Sequence, residues 1–170
     1  MAELYYEELV KRKERGVDKL IRYGLMLLTA ALVVLALLSW NLIIIAVAIV
    51  VCVADIFIFP NLSIEWEYQY VNGELDVDKI MNKQKRKRVK SFEVTNAEII
   101  APARSHRLDY YNSNNKLKTY DFTSADPDKS NLAYAMIIAD DNETTKVLFE
   151  PTTDMLKDMR LKAPRKVFYD

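Results

Sequence analysis

The sequence predicts an α+β membrane protein in which a two-helix transmembrane hairpin is followed by a small antiparallel β-barrel, closed by a C-terminal helix. Three observations lead to this fold class. Residues 23–59 are almost free of charge, apolar and polar residues alternate from Leu62 onwards, and a helical pattern follows Pro151. We therefore divide the chain into a juxtamembrane amphipathic helix (1–19), the hairpin (20–60) and a cytoplasmic β domain (61–170).

Charge balance and rare residue types exclude several classes of function. The chain has 24 basic and 24 acidic residues, so no overall basic field indicates a nucleic-acid partner. Cys52 lies alone in an apolar run, which excludes an internal disulfide or a thiolate metal site. His106 is the single histidine, and it stands too close to Ser105 and Asp109 along the chain for a catalytic triad, so a loop or edge strand is expected there. We expect no cofactor, no metal and no enzymatic activity.

The hairpin is predicted from two apolar runs that follow each other directly. Each run has about 18 residues, or about 27 Å as a helix, which matches the hydrocarbon thickness of a bilayer. The spans are expected at about 20–40 and 42–59, with Trp40 and Asn41 in the turn. A cleaved signal peptide would be shorter and would not be followed by a second run. Helices buried in a soluble protein would carry a polar stripe, which these runs lack.

Basic residues set the expected orientation of the hairpin. The turn between the runs carries none, whereas the segment before the first run carries Lys11, Arg12, Lys13, Arg15, Lys19 and Arg22. By the positive-inside rule, we expect a cell-membrane protein with two spans and both termini in the cytoplasm.

The segment before the hairpin is predicted to be helical. Residues 2–15 are rich in Glu, Leu, Lys and Arg and contain no Gly or Pro. Leu4, Tyr5, Leu9 and Val10 fall on roughly one side of such a helix. It is either solvated, supplying only topology charges, or lies on the inner leaflet, where its acidic residues weaken its attraction to anionic lipid.

Asp55 is the one charged residue within the second apolar run. It lies about four residues, or about one helical turn, before the expected end at Phe59, so its carboxylate could reach the headgroups and stay hydrated. The alternative is a proton or ion relay, because intramembrane carboxylates commonly mark functional sites. We favour the hydrated position, since the spans offer no second charge to pair with it.

Alternating patterns predict the strands of the β domain. Apolar and aromatic residues alternate with polar ones over residues 62–70, and Asn72-Gly73 then predicts a type I′ turn. The returning strand carries Leu75 and Val77 on one side. Weaker patterns predict strands at 88–95, 97–101, 117–123, 132–139 and 145–149, with a hairpin turn at 140–143.

The end of the chain predicts one more helix. Thr152 or Thr153 is expected to cap a helix that runs to about Lys162. Its core-facing side consists of Met155, Leu156 and Met159.

Six or seven short strands followed by one helix resemble the order of a pleckstrin-homology-like (PH-like) barrel. A two-helix hairpin directly before such a domain is similar to small bacterial membrane proteins with PH-like domains, including the YcxB-like group. Residues 71–88 also resemble a family of proteins from Gram-positive anaerobes. The resemblance implies a PH-like fold and supplies no activity.

The densest charge run is predicted to be a loop and consists of Lys83, Lys85, Arg86, Lys87, Arg88 and Lys90. The first strand leaves the membrane near Pro60 and extends about 26 Å before the turn sends the chain back. The run should therefore lie near the inner leaflet, where each cation gains about 1 kcal/mol from an anionic surface. Contact with anionic headgroups is our hypothesis; a solvated loop and a protein or nucleic-acid contact are the alternatives.

These observations lead to two functional hypotheses. The first is a non-enzymatic, membrane-tethered PH-like module that contacts the inner leaflet, a protein partner or both, with its aromatic strand as an edge for strand addition if unpaired. The alternative is an accessory subunit of a membrane transport or export complex, which packs through the hairpin and brings Asp55 to a partner. The sequence predicts neither the partner nor the oligomeric state.

Overall fold

The computed structural model describes residues 5–114, 117–140 and 143–169. The strands are β1 Tyr5–Lys11, β2 Ile64–Val71, β3 Glu74–Met81, β4 Lys85–Glu93, β5 Ala97–Pro102, β6 Lys118–Asp121, β7 Tyr134–Asp140 and β8 Glu143–Phe149. The α-helices are α1 Gly16–Ser39, α2 Leu42–Leu62, α3 Asp109–Asn112 and α4 Thr153–Lys162, and short 3₁₀-helices cover Val94–Asn96, His106–Leu108 and Pro127–Leu132. Residues 2–4 of the predicted N-terminal helix and residues 141 and 142 of the predicted turn lie outside the described ranges.

The first sheet is antiparallel and has the order β1-β2-β3-β4. The turn between β2 and β3 confirms the prediction from Asn72-Gly73, because both residues have positive φ angles, 53° and 98°. Val71 and Glu74 are directly paired across this turn. The turn thereby fixes the register of the whole hairpin, and β2 has neighbours on both sides, so it offers no free edge for strand addition.

The segment before the helices is a strand, and the predicted helix is wrong for Tyr5–Lys11. This strand, β1, pairs with β2, which follows the helical hairpin in the sequence. The pairing runs from Tyr5 opposite Val71 to Lys11 opposite Glu65. Val10 is buried in the core. Tertiary pairing overrides the helix propensity of Glu, Leu and Lys here. The β domain is therefore discontinuous in sequence and includes residues from both sides of the hairpin.

The second sheet has the order β5-β7-β8-β6. Its edge strand β6 runs parallel to β8, so the prediction of a wholly antiparallel domain is wrong there. The closed barrel is also wrong, because the strands form two separate sheets within the described residues. Side chains alone connect the edges β4 and β6, as the rings of Phe92 and Tyr120 meet edge to face with centroids 6.2 Å apart.

The core lies between the two sheets and is rich in aromatic residues. Trp66 contacts Phe122 edge to face at a centroid distance of 5.0 Å. The predicted C-terminal helix is confirmed as α4, which is capped by Thr152, whose hydroxyl oxygen accepts from the backbone N–H of Met155 at 3.3 Å. The residues that α4 contributes to the core are the predicted Met155, Leu156 and Met159.

The helices α1 and α2 are 24 and 21 residues long and pack against each other as a hairpin. Both are long and apolar enough to cross a membrane. Helix α1 begins earlier than expected, because Asp18 accepts a hydrogen bond from the backbone N–H of Arg15 at 3.0 Å. Helix α2 continues through Pro60 to Leu62.

Both ends of the helical hairpin are fastened to the β domain. Ser63 is the single residue between α2 and β2, and its carbonyl accepts from the backbone N–H of Asn82 at 2.9 Å. On the other side, the backbone N–H of Lys13 donates to the carbonyl of Ser124 at 2.7 Å. The ammonium group of Lys13 also lies 2.7 Å from a carboxylate oxygen of Asp126. The short, bonded connections fix the end of the β domain from which the helices leave.

Candidate functional site

The basic run forms part of strand β4, so the predicted loop is wrong for Lys85–Lys87, whereas the strand predicted from Arg88 is confirmed. A strand directs alternate side chains to opposite sides of its sheet. The basic residues of β4 are consequently divided between the side that faces the core, here called the inner side, and the outer side. The two groups have different surroundings.

On the outer side, carboxylates neutralise the arginines. Arg86 forms ion pairs with Glu67 and Asp78, and Arg88 pairs with Asp76. Glu67 and Asp78 are buried, so they depend on these arginines for compensation of their charge. Burial, together with a side-chain hydrogen bond to Glu7, raises the pKa of Glu67, although Arg86 acts in the opposite direction.

On the inner side, the strand register brings four cations to the end of the sheet beside the helices. Lys79 lies opposite Trp66 on β2 and opposite Lys87 on β4. One pair nearer the helices, Ile64 lies opposite Met81, which lies opposite Lys85. Arg12 continues the register of β1, because its N–H donates to the carbonyl of Ile64 at 3.1 Å. We refer to Arg12, Lys79, Lys85 and Lys87 as the basic face.

No carboxylate forms an ion pair with a residue of the basic face within residues 5–114, 117–140 and 143–169. Burial lowers the pKa of Lys79, and the charges of Arg12 and Lys87 lower it further. Directly opposed like charges on neighbouring strands are destabilising. The basic face therefore concentrates positive charge that has no ion-pair partner among the described residues.

The basic face lies where the helices leave the β domain. The ammonium group of Lys79 is 3.4 Å from the side-chain oxygen of Asn61, in the last turn of α2. The turn between β3 and β4 contains Lys83 and is bonded to the chain beside α2 through the contact between Asn82 and Ser63. The predicted return of the basic run to the exit of the second helix agrees with these contacts.

Lys90 has a third environment. A β-bulge shifts the register, so that Val77 pairs with Lys90 whereas Asp78 pairs with Arg88. Lys90 is thereby turned to the inner side, where its ammonium group lies 5.6 Å from the ring centroid of Phe92 and 5.5 Å from that of Tyr120. These are cation–π contacts at the seam between the sheets, away from the basic face.

Sequence reasoning missed Arg12 and Lys79. Arg12 was counted only among the topology charges, because its segment was expected to be helical. Lys79 follows Leu75 and Val77 at spacings of two residues, so the predicted hairpin already directed it to the side of the core. That continuation of an apolar strand face by a cation was the available signal.

Asp55 faces the neighbouring helix, and its position relative to the headgroups stays a prediction. Asp55 is 7% exposed, and its Oδ2 lies 2.6 Å from the hydroxyl oxygen of Thr29 on α1. Because α2 continues to Leu62, Asp55 lies about 10 Å from the end of the helix and not one turn from it.

The Ser105–Asp109 segment lies in the connection between β5 and β6 and contains a single 3₁₀ turn, so of the predicted loop or edge strand the structure has the loop. The hydroxyl oxygen of Ser105 accepts from the backbone N–H of Arg107 at 3.3 Å. Nδ1 of His106 lies 3.2 Å from a carboxylate oxygen of Asp109, and both side chains are exposed. In the described part of the chain, no group of three or more His, Cys, Asp or Glu residues could hold a metal ion.

A family model described as a bacterial PH-like domain (DUF6106) matches residues 2–169. The chain belongs to this family. The DUF6106 match includes the helical hairpin and β1, in agreement with a β domain that begins before the hairpin, and it confirms the resemblance to bacterial PH-like proteins. The match does not address an origin in Gram-positive anaerobes. No curated protein and no solved structure matches the chain. Membership of a PH-like family indicates a module for interaction with lipid or protein.

Proposed function

We propose that this DUF6106 protein is a non-enzymatic module that is anchored in the cell membrane by α1 and α2 and binds anionic headgroups of the inner leaflet through its basic face. The observation that carries the proposal is the set of cations without ion-pair partners that come from β3, β4 and the residue after β1, beside the exit of the helices. Membrane anchoring and headgroup contact are separate steps of the proposal, and each has its own support.

The exposed apolar surface of the helices supports membrane anchoring. No residue of α1 is buried by the rest of the protein, and in α2 only Ala48 and Asp55 are. Exposure of so large an apolar surface to water is unfavourable at about 25 cal/mol for each Å². A bilayer would cover this surface. Strand β1 leads into α1, and β2 follows α2. Because β1 and β2 pair with each other, the start of α1 and the end of α2 must lie on the same side of the membrane, in agreement with two spans.

The position of the basic face supports headgroup contact. In the proposed orientation, Asn61 lies at the cytoplasmic border of the membrane, and Lys79 lies next to it. Each cation near an anionic surface gains about 1 kcal/mol, which declines with salt over a screening distance of about 10 Å. Partly exposed apolar side chains of Ile64 and Met81 lie between the cations and would contact the acyl border. The alternative role in a transport or export complex remains a prediction, and its candidate contact, Asp55, faces Thr29.

The headgroup proposal can be tested with the full chain in nanodiscs of phosphatidylcholine, with or without phosphatidylglycerol. Trp66 is buried against Phe122 and reports unfolding of the β domain once Trp40 is replaced by Phe. Because a ligand of the folded state stabilises it, phosphatidylglycerol should raise the midpoint of thermal unfolding, and salt should reduce this increase. Equal midpoints in both lipid compositions would contradict the proposal.

Paired variants separate the basic face from total charge. The double variant Lys79→Gln, Lys87→Gln should lose the increase caused by phosphatidylglycerol. The control variant Lys157→Gln, Lys162→Gln removes the same charge from α4, where Lys162 lies next to Gly73 at the opposite end of the β2–β3 hairpin. It should retain the increase. Equal losses in both variants would indicate a nonspecific charge effect and would refute the assignment to the basic face.

The anchoring step has an independent test in intact cells. In a Cys52→Ser background, a cysteine at Trp40 or at Lys157 is treated with a membrane-impermeant maleimide. Trp40 is exposed at the turn between the helices, and Lys157 is exposed on α4. Only the cysteine at position 40 should be labelled. Labelling at position 157 would place the β domain outside the cytoplasm.

A further inference from the structure

Thr29 and Asp55 form a hydrogen-bonded group between α1 and α2 that the proposed headgroup contact does not use. The hydroxyl oxygen of Thr29 lies 2.6 Å from Oδ2 of Asp55 and 2.9 Å from the carbonyl oxygen of Leu25. Both distances are typical of O–H···O hydrogen bonds. Thr29 has one hydroxyl hydrogen, and the Leu25 carbonyl has none to donate.

Counting hydrogens decides which group must donate. An ionised carboxylate is an acceptor only, so the single hydrogen of Thr29 would serve either Asp55 or Leu25. The other contact would then join two acceptors at hydrogen-bond distance, which is repulsive. A protonated carboxyl group supplies the second hydrogen. Two hydrogens then serve two contacts, and each oxygen has its donor or acceptor.

We propose that Asp55 is a proton-binding site inside the helical hairpin, with its carboxylic O–H donating to Thr29, whose hydroxyl donates to the carbonyl of Leu25. This goes beyond the headgroup proposal and does not depend on the basic face. In the protein as folded, the carboxyl group is neutral and acts as the donor of an interhelical hydrogen bond. It positions α1 against α2 at this level of the hairpin.

The surroundings of Asp55 support a neutral group. Its Oδ1 is buried and has no hydrogen-bond partner in the described part of the chain. The charged residues of α1 are all in its first two turns (Asp18, Lys19 and Arg22), about 10 Å or more along the helix from Thr29. Arg22 is paired there with Glu14 at 3.3 Å. Cys52, the other titratable residue of α2, contributes to an apolar groove between the helices.

A neutral Asp55 also makes the apolar helix easier to place in a bilayer. A charged carboxylate at depth costs about 2.5–3.5 kcal/mol even on the lower scales. A protonated carboxyl group that donates to a neighbouring helix avoids that cost and leaves no ionic charge among the apolar residues of α2.

Infrared spectroscopy of the full chain in neutral nanodiscs, in neutral buffer, tests the proposal directly. The difference spectrum between the wild type and Asp55→Asn should contain the C=O stretching band of a protonated carboxylic acid. Thr29→Val should shift this band to higher frequency, because the hydrogen bond is lost, whereas Ser39→Ala at the end of α1 should leave it unchanged. If the difference spectrum contained the band of an ionised carboxylate and lacked that of a protonated carboxylic acid, the proposal would be overturned.

Thermal unfolding of the helices gives a second readout. The side-chain NH₂ group of Asn can replace the donor of a protonated Asp. Asp55→Asn should therefore keep a midpoint close to that of the wild type in neutral detergent, whereas Thr29→Val should lower it. An equal decrease in both variants would contradict donation from position 55, even if the spectra could not be compared. Neither experiment requires anionic lipid, so failure here leaves the headgroup proposal intact and the reverse also holds.

Discussion

Lys79 and Lys87 are register partners on β3 and β4, so the fold holds two ammonium groups next to each other on the inner side of the first sheet. Carboxylates compensate Arg86 and Arg88 on the outer side of the same strand, but none does so for Lys79 or Lys87 among the described residues. The arrangement lowers the stability of the protein alone, and in our proposal it supplies the charge that binds an anionic headgroup. Stability and ligand binding should therefore respond in opposite directions to mutation.

Lys87→Glu should stabilise the β domain in neutral nanodiscs by about 0.5–1 kcal/mol, because an opposite-charge pair replaces a like-charge pair across the strands. The same variant should lose the increase in midpoint caused by phosphatidylglycerol. Unfolding followed by Trp66 fluorescence measures both effects. Lys162→Glu on α4 is the control and should retain the response to lipid. A variant that is less stable in neutral lipid would contradict the repulsion between Lys79 and Lys87.

The pH dependence of stability should carry the signature of Lys79. Its pKa is lowered in the folded protein from the ordinary value of 10.5, so between the folded and unfolded pKa the unfolded chain binds more protons. Stability contributed by this residue therefore rises with pH through that window and is complete above the unfolded pKa. Lys79→Met should remove this rise. The measurement is the thermal midpoint of the wild type and of Lys79→Met at a series of pH values, and subtracting one curve from the other removes the contribution of the other titrating groups. A difference that stays constant with pH would contradict the prediction.

Arg86→Ala should lower the free energy of unfolding by about 1–3 kcal/mol, since it leaves the buried carboxylate of Glu67 without its ion-pair partner and leaves Asp78 only its longer contact with Arg88, at 3.9 Å. Lys85 is one residue earlier, and its side chain is exposed on the inner side, beyond the core. Lys85→Ala should therefore change the free energy of unfolding by less than about 0.5 kcal/mol. Denaturant titration in a neutral detergent measures both. Similar values for the two variants would show that the outer ion pairs do not stabilise the sheet.

Val10→Ser should destabilise the β domain by about 1–3 kcal/mol, whereas Leu9→Ser should have little effect. Val10 is 7% exposed in the core and Leu9 is 50% exposed on the other side of β1. A helix over residues 2–15 would place the two side chains on the same side and predict similar effects. Thermal unfolding of the two variants therefore distinguishes strand from helix.

Gly73→Ala should cost about 1 kcal/mol through backbone strain, because Gly73 has a φ of 98° in the type I′ turn. The added Cβ would lie 3.8 Å from the side chain of Lys162, an ordinary contact. The double variant Gly73→Ala, Lys162→Ala should therefore not recover the lost stability. Recovery in a denaturant titration would show that crowding, and not φ, is the cause.

Local signals in the sequence were sufficient for the elements whose pattern is complete within a short segment. The Asn72-Gly73 turn, the strands on each side of it and the helix capped by Thr152 belong to this group. The β1 strand could not be predicted in this way, because it gains its structure from β2, which follows only after the hairpin. The open pair of sheets likewise depends on contacts between distant segments.

The side of the sheet that each basic residue of β4 faces could not be predicted from the sequence, for a different reason. Strand alternation alone would place Lys90 on the same side as Arg86 and Arg88. The bulge between Val77 and Asp78 reverses it and turns Lys90 to Phe92 and Tyr120. The burial of Asp55 could not be predicted from charge pairing, because its partner is the neutral Thr29.

In the proposed two-span topology, the discontinuous first sheet makes membrane insertion a condition of folding. During synthesis β1 is completed first, and it must wait for its partner until α1 and α2 have been made. If one helix failed to cross, β1 and β2 would be separated by the bilayer, the place of Val10 in the core would be empty and the edge of β2 would be left open. In that proposed topology, a folded β domain requires both helices to have crossed the membrane, and copies inserted wrongly would remain open to proteolysis.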